Sequence, residues 1–164
     1  MIEPRITPAP LENEGTVRAA SYLQPGAMQV AEATTITTIL GSCVAVCVWD
    51  ATRQIGGMNH FLLPRGAVAP GVEGRFGEHA VPRLLRQIVD RGAARSRLQA
   101  KVFGGACIAS AFQRHDHLGL KNVEIALTLL ADAGVTVVAQ DVGGTRGRKL
   151  LFHTDDGTAL VKYL

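Results

Sequence analysis

The chain has 164 residues, 47% hydrophobic and 19% charged, with a formal net charge of +3 at pH 7. That length and balance fit one compact domain with a substantial core. No apolar run approaches the roughly 20 residues needed to span a bilayer, and Met1-Ile2-Glu3-Pro4-Arg5 lacks the basic-then-apolar order of a secretory signal, so neither membrane insertion nor export is expected.

The mild charge and the 5% aromatic content give neither a basic footprint nor a stacking platform for nucleic acid. Only Arg146, Arg148 and Lys149 form a modest basic cluster. The three cysteines are odd in number and lack the short paired spacings of a zinc site or a disulfide framework. Cys43 and Cys47 lie four residues apart, which on a strand separates their Cα atoms by about 13 Å, against a limit of about 7 Å for a bridge. Reduced thiols in the cytoplasm are the simple expectation.

Residues 1–20, with Pro4, Pro8 and Pro10, read as a flexible N-terminal extension, and 21–164 as a single domain. Pro25-Gly26 marks a turn, Ala27 to Val30 a short strand, and Thr34 to Leu40 a β-branched strand leading into Gly41-Ser42. Residues 43–49 and 55–63 form two further apolar strands around a polar turn at 50–53, a hairpin signal. A glycine-rich loop follows at 65–76, long enough to border an active site.

Helical spacing of Ala80, Leu84, Leu85 and Ile88 predicts a helix from Glu78 to Arg91, with Pro82 in its first turn and Gly92 just past its end. A strand over 98–103 and a second helix at about 120–133 come next. A buried strand is expected at 135–139, and two final strands at 149–153 and 158–163. Two helices and roughly eight strands predict an α/β fold of α+β-like character, with mixed or antiparallel strands.

The hairpin carries the candidate chemistry. If Trp49 pairs with Gln54 across a four-residue loop, Cys43 stands opposite His60, where Cβ atoms are about 4.5–5.5 Å apart. A five-residue loop would turn His60 to the other face. A lone cysteine on an apolar strand is usually a small hydrophobe, and Cys47 fits that description. Cys43 differs in following a Gly-Ser turn and in having a histidine predicted beside it. Only a thiolate is an effective nucleophile, so a cysteine near pKa 8.5 needs a base to take its proton. A third group should orient that imidazole. Thr37 is a candidate, with Thr34, Thr35 and Thr38 competing.

Other signals are weaker. His115-Asp116-His117 has no second ligand pair, so no metal is expected, and Gly143 to Gly147 lacks the Lys-Ser/Thr of a phosphate loop. Ser42 shapes the backbone beside a better nucleophile.

Four blocks together resemble the CheD family, the bacterial and archaeal chemoreceptor glutamine deamidases: Leu40-Gly41-Ser42-Cys43-Val44-Ala45-Val46, Asn59-His60-Phe61-Leu62-Leu63-Pro64, Ala100 to Ala106, and Asp141 to Lys149. The resemblance runs from about Tyr22 to the C-terminus. It implies a layered β-sandwich-type core of the cysteine hydrolase-like deamidases, and hydrolysis of glutamine side chains to glutamate on methyl-accepting chemotaxis proteins. It also implies Cys43 as nucleophile, His60 as base and acid, Thr37 positioning His60, and no cofactor. Backbone N–H groups near Gly41 and Ser42 are expected to hold the oxyanion. A CheC-type phosphatase is an implied partner. The alternative is a non-catalytic regulator that binds such a phosphatase or the receptor. Lys121 and Phe76 depart from the family's pattern at positions expected to bear on substrate detail.

Overall fold

The computed structural model describes residues 15–109 and 116–164. Among the described residues, nine strands and two α-helices lie in three layers. A four-stranded sheet has the order β1 (Ala19–Tyr22), β3 (Thr34–Leu40), β8 (Arg148–His153), β9 (Ala159–Tyr163). A five-stranded sheet has the order β2 (Met28–Glu32), β5 (Ile55–Asn59), β4 (Val44–Asp50), β6 (Gln99–Gly104), β7 (Thr136–Val142). Helices α1 (Gly77–Asp90) and α2 (Leu118–Asp132) cover the outer face of the second sheet. Both sheets are mixed: β1–β3 and β6–β7 run parallel and the other pairs antiparallel. The layered α/β sandwich expected from the sequence is the fold observed.

Alternation along β4 explains why the layers stack. Val44, Val46 and Val48 face the helices and join Leu84, Ile88, Ala126 and Leu130 in one apolar cluster. Ala45, Cys47 and Trp49 face the other sheet and join Ile36, Leu40, Leu150 and Phe152 in a second. A strand buried on both faces must read as a near-continuous apolar run, and β4 does.

The chain crosses between sheets at two tight corners. Ala33, with φ of 39°, turns β2 into β3. Residues 41–43 carry β3 of one sheet into β4 of the other, so Cys43 sits on the corner where the layers meet.

Several expectations need correction. Ala19 and Ala20 already pair with Thr34 and Thr35, and Arg18 holds Asp155 at 2.7 Å, so order begins before residue 21; residues 1–14 lie outside the described part. Pro82 stands in the second turn of α1, not the first. The strand expected to be buried at 135–139 is β7, a largely exposed edge, because among the described residues it pairs with β6 alone. The basic cluster also dissolves: Arg148 is buried against Asp141 and the Gly143 carbonyl.

The hairpin loop has four residues, as expected, but begins one residue later. Asp50 pairs with Ile55, and the loop is 51–54. The Asp50 carboxylate accepts the N–H groups of Thr52 (3.0 Å) and Arg53 (3.2 Å), which makes Asp50 the last ladder residue. Trp49 therefore faces Gly56 rather than Gln54.

Candidate active site

The shifted register carries through the hairpin. Val44 and Phe61 exchange both backbone hydrogen bonds, at 3.1 and 3.0 Å, which puts Ala45 opposite His60 and Leu62 opposite Cys43. His60 is thus diagonal to Cys43 rather than opposed. The shift moves the pair sum by two, so parity survives and both side chains stay on the sandwich-facing side. Diagonal neighbours lie about 7–8 Å apart at Cα and within reach of longer side chains.

Local features hold the two ends in place. Val46 N–H donates to Oδ1 of Asn59 at 2.9 Å, so a side chain replaces a ladder carbonyl just before His60. The His60 backbone then donates to Ala27 O at 3.2 Å and accepts from Gly26 N–H at 2.7 Å. On the cysteine side, Ala106 N–H donates to Gly41 O (2.9 Å) and Gly105 N–H to Cys43 O (2.8 Å). Gly104 makes this approach feasible: its φ is +105°, and any Cβ there would collide with the Cys43 carbonyl. Gly41 has its own constraint, since a Cβ would lie 2.8 Å from Cδ1 of Ile108.

His60 is 1% exposed. Its Nδ1 lies 2.8 Å from Oγ1 of Thr38, and Thr38 Oγ1–H donates to Leu23 O, also at 2.8 Å. A hydroxyl has one hydrogen and a carbonyl only accepts. The Thr38 hydrogen therefore goes to Leu23, and His60 Nδ1 carries the hydrogen that Thr38 accepts. Nε2 is left with its lone pair, buried and without a protein partner among the described residues. That is the tautomer a general base needs.

Thr38, not Thr37, holds the histidine. Ile36, Thr38 and Leu40 point into the sandwich, while Thr35, Thr37 and Ile39 point outward. Thr37, between Tyr22 and Leu151 in its sheet, is on the wrong face to reach His60. Ile36 and Leu40 held the missing signal, because two apolar residues of the same parity as Thr38 mark the inward face.

Burial shifts both Cys43 and His60. It pushes the Cys43 thiol up from its usual range, and the residue's own backbone N–H pulls it partway back. It also pushes His60 down to about 4. The resting couple is therefore thiol and neutral imidazole. Cys47, fully buried, is pushed up much further by burial, against a weaker opposing pull from Lys101. All three cysteines are free thiols.

A cleft of about 330 Å³ opens beside this corner, lined by Ser42, Ala106, Cys107, Ile108, His117 and Leu118 among others. His117 caps α2 by accepting the Leu120 N–H at 3.3 Å, and His115 lies outside the described residues. Among the described residues no group of three or more His, Cys, Asp and Glu is gathered as a metal site, and no helix is long and apolar enough to cross a membrane. Lys121 is exposed beside a second hollow that includes Pro64 and Arg65, and Phe76 bridges to Leu63 after the hairpin.

Sequence reasoning missed Asn122. This α2 residue is fully buried and donates from Nδ2 to Ser42 O (3.0 Å) and Leu62 O (2.9 Å). Its position on the apolar stripe with Gly119, Val123 and Ala126 was the available clue.

Comparison with known proteins places the chain. Residues 62–163 match the model of a family described as "CheD chemotactic sensory transduction". A protein of Anaeromyxobacter dehalogenans named "Probable chemoreceptor glutamine deamidase CheD 1" is 51% identical over 98% of this chain and 94% of its own. A similarly named protein of Trichlorobacter lovleyi is 43% identical over 92% and 94%. Among solved structures, the hypothetical protein YfiH of Bacillus licheniformis overlaps 72% of this chain and 49% of its own, with a TM-score of 0.44 at 12% identity, too slight a likeness to carry an argument. The family match begins just after His60, while the alignments to the relatives run through the hairpin that holds Cys43 and His60. With half its residues shared along nearly its whole length, the chain belongs to the CheD family.

Proposed function

We propose that this protein deamidates glutamine side chains of methyl-accepting chemotaxis receptors, with Cys43 as nucleophile and His60 as the group that moves the proton. The observation that carries the reading is the unpartnered Nε2 of His60, fixed as a lone pair by the Thr38–Leu23 relay and held on the same face as Cys43. The names of the 51% and 43% identical relatives support the same activity.

The chemistry follows from the protonation states. With a raised thiol and a lowered imidazole, the proton leaves Cys43 for Nε2 as sulfur attacks the carboxamide carbon. The carbonyl electron pair moves onto oxygen, and the oxyanion is held by backbone N–H groups of the Gly41–Cys43 corner. Imidazolium then gives its proton to the departing nitrogen, and ammonia leaves as the C–N bond breaks. Water, losing a proton to Nε2, attacks the thioester carbon. The C–S bond breaks, the thiolate recovers its proton, and glutamate is released. No step calls for a metal or an organic cofactor. The setting is the cytoplasm, where thiols stay reduced, and a CheC-type phosphatase is the second partner carried by the family resemblance.

Mass spectrometry of a receptor cytoplasmic fragment incubated with wild type and with Cys43→Ala tests the reading. Glutamine converted by wild type and untouched by the variant is the expected result. A wild type that leaves every receptor glutamine intact sinks the enzyme reading and favours the non-catalytic regulator, above all if Cys43→Ala still binds receptor or phosphatase.

A further inference from the structure

Asn122 is the one polar side chain among the buried residues of α2. An amide in an apolar layer is costly unless bonded, and this one meets only half of its capacity. Nδ2 donates to Ser42 O and Leu62 O, while Oδ1 is buried with no partner among the described residues. Both partners are carbonyls, so the amide orientation is fixed by chemistry: only the NH₂ end can face them. The two carbonyls belong to the two segments that hold the reactive pair. Ser42 immediately precedes Cys43, and Leu62 follows His60 by two residues.

The trans peptide gives this contact its consequence. In a planar trans amide the carbonyl oxygen and the next N–H point to opposite sides. Drawing Ser42 O toward α2 turns the Cys43 N–H away from the helix layer, to the side that holds the thiol. α2 comes near enough because Gly119 packs on the Gly105–Ala106 backbone, where any Cβ would lie 2.7 Å from the Ala106 carbonyl.

We propose that Asn122 is a positioning residue for this reaction: its two donated hydrogen bonds tie the segment before Cys43 to the segment after His60 and aim the Cys43 N–H at the site where the oxyanion forms. The proposal rests on the deamidase reading with Cys43 as nucleophile.

The test uses the full chain, a receptor cytoplasmic fragment as substrate, and the variants Asn122→Asp and Asn122→Leu, with Leu130→Ala as a control for a destabilised α2. Iodoacetamide alkylation of Cys43, followed by peptide mass spectrometry, reads the thiol in a reaction that forms no oxyanion. Loss of an oxyanion donor costs about 10²–10³-fold in rate, so kcat is expected to fall about 100-fold in both variants. KM should stay within about twofold and alkylation within about threefold. Asn122→Asp should recover part of its kcat, relative to wild type, as pH falls from about 8 to about 5.5, because a protonated carboxyl regains one donor. A kcat within about threefold of the Leu130→Ala control overturns the proposal. Alkylation that falls in parallel with kcat does so too, since it would mean that Asn122 merely supports the thiol. If Asn122→Asp does not fold, Asn122→Ser, which keeps a hydroxyl donor, is judged by the same limits. Wild type that fails to deamidate the fragment defeats the underlying reading instead, before any variant is compared.

Discussion

The two ends of β4 are built to different rules. At the far end, the Asp50 carboxylate is fully buried yet meets four groups: the N–H of Thr52, Arg53 and Ala94, and the guanidinium of Arg97. At the near end, the backbone carbonyls of the corner are satisfied while three side-chain polar atoms are left open. The carbonyls of Gly41, Ser42 and Cys43 each receive a hydrogen bond. By contrast Asn59 Nδ2, His60 Nε2 and Asn122 Oδ1, all buried, have none among the described residues. Buried polar groups are nearly always paired, so three orphans gathered around one corner set it apart from the Asp50 end. One strand thus ends once in a structural anchor and once in the candidate site.

The sharpest way to break this contrast is to exchange the two cysteines' fates. Cys43→Ala should abolish receptor deamidation, by about 10⁴-fold or more, and leave the melting temperature nearly unchanged because the side chain is only half-buried. Cys47→Ala, in the core between the sheets, should cost about 1–2 kcal/mol of stability with kcat intact below the melting range. Equal losses of activity in the two variants, measured by mass spectrometry, would erase the distinction.

The next effect is in pH. His60 is held at about 4 in the folded protein by burial, against about 6.5 in an unfolded chain. Between those values the unfolded state binds the extra proton, so folding stability falls as pH drops from about 6.5 to 4, by on the order of 3 kcal/mol. Denaturant titrations at several pH values check this against His60→Gln, which should lose that slope. A wild-type curve flat across the window would mean that His60 is not buried as a neutral base.

At the opposite end, Asp50→Ala should lower stability by about 2–3 kcal/mol, less than a fully buried ion pair because Arg97 is 43% exposed. Below the melting transition kcat should be unchanged. Asp50 is held at about 2: burial pushes it up, but the Arg97 guanidinium and the N–H groups of Ala94 and Arg53 outweigh that. Its contribution is therefore present above about pH 4 and fades as pH falls through about 2.

The smallest effect separates neighbours. Thr38→Val removes the acceptor for Nδ1–H and should reduce kcat about tenfold to a hundredfold, the cost of one lost buried hydrogen bond. Thr37→Val, on the outer face, should stay within about twofold. Steady-state kinetics on a receptor fragment decide between them, and the reverse order would restore Thr37 to the position the sequence suggested.

Much of the layered fold and the shared face of Cys43 and His60 could be read from the residues, because strand alternation survives a register error of two. Whether Asp50 closes the ladder or opens the loop could not be read. That choice depends on a carboxylate that bonds Thr52 and Arg53 beside it but also Ala94 and Arg97, more than 40 residues away. Thr38 was within reach through the parity of Ile36 and Leu40. Asn122 was harder, since a single polar residue on an apolar helix stripe says that something is bound but not what. β7 misled because its apolar run Val137, Val138 and Ala139 resembles a buried strand, and only the sheet order reveals an edge.

The Leu23 carbonyl has an evolutionary consequence. It fixes the Thr38 hydroxyl, and through it the imidazole nitrogen that is free to act. Every amino acid brings the same carbonyl, so mutation at position 23 can alter this control only by displacing the segment after β1. The histidine's tautomer is thereby insured against drift at that codon, and position 38 carries the whole exposure.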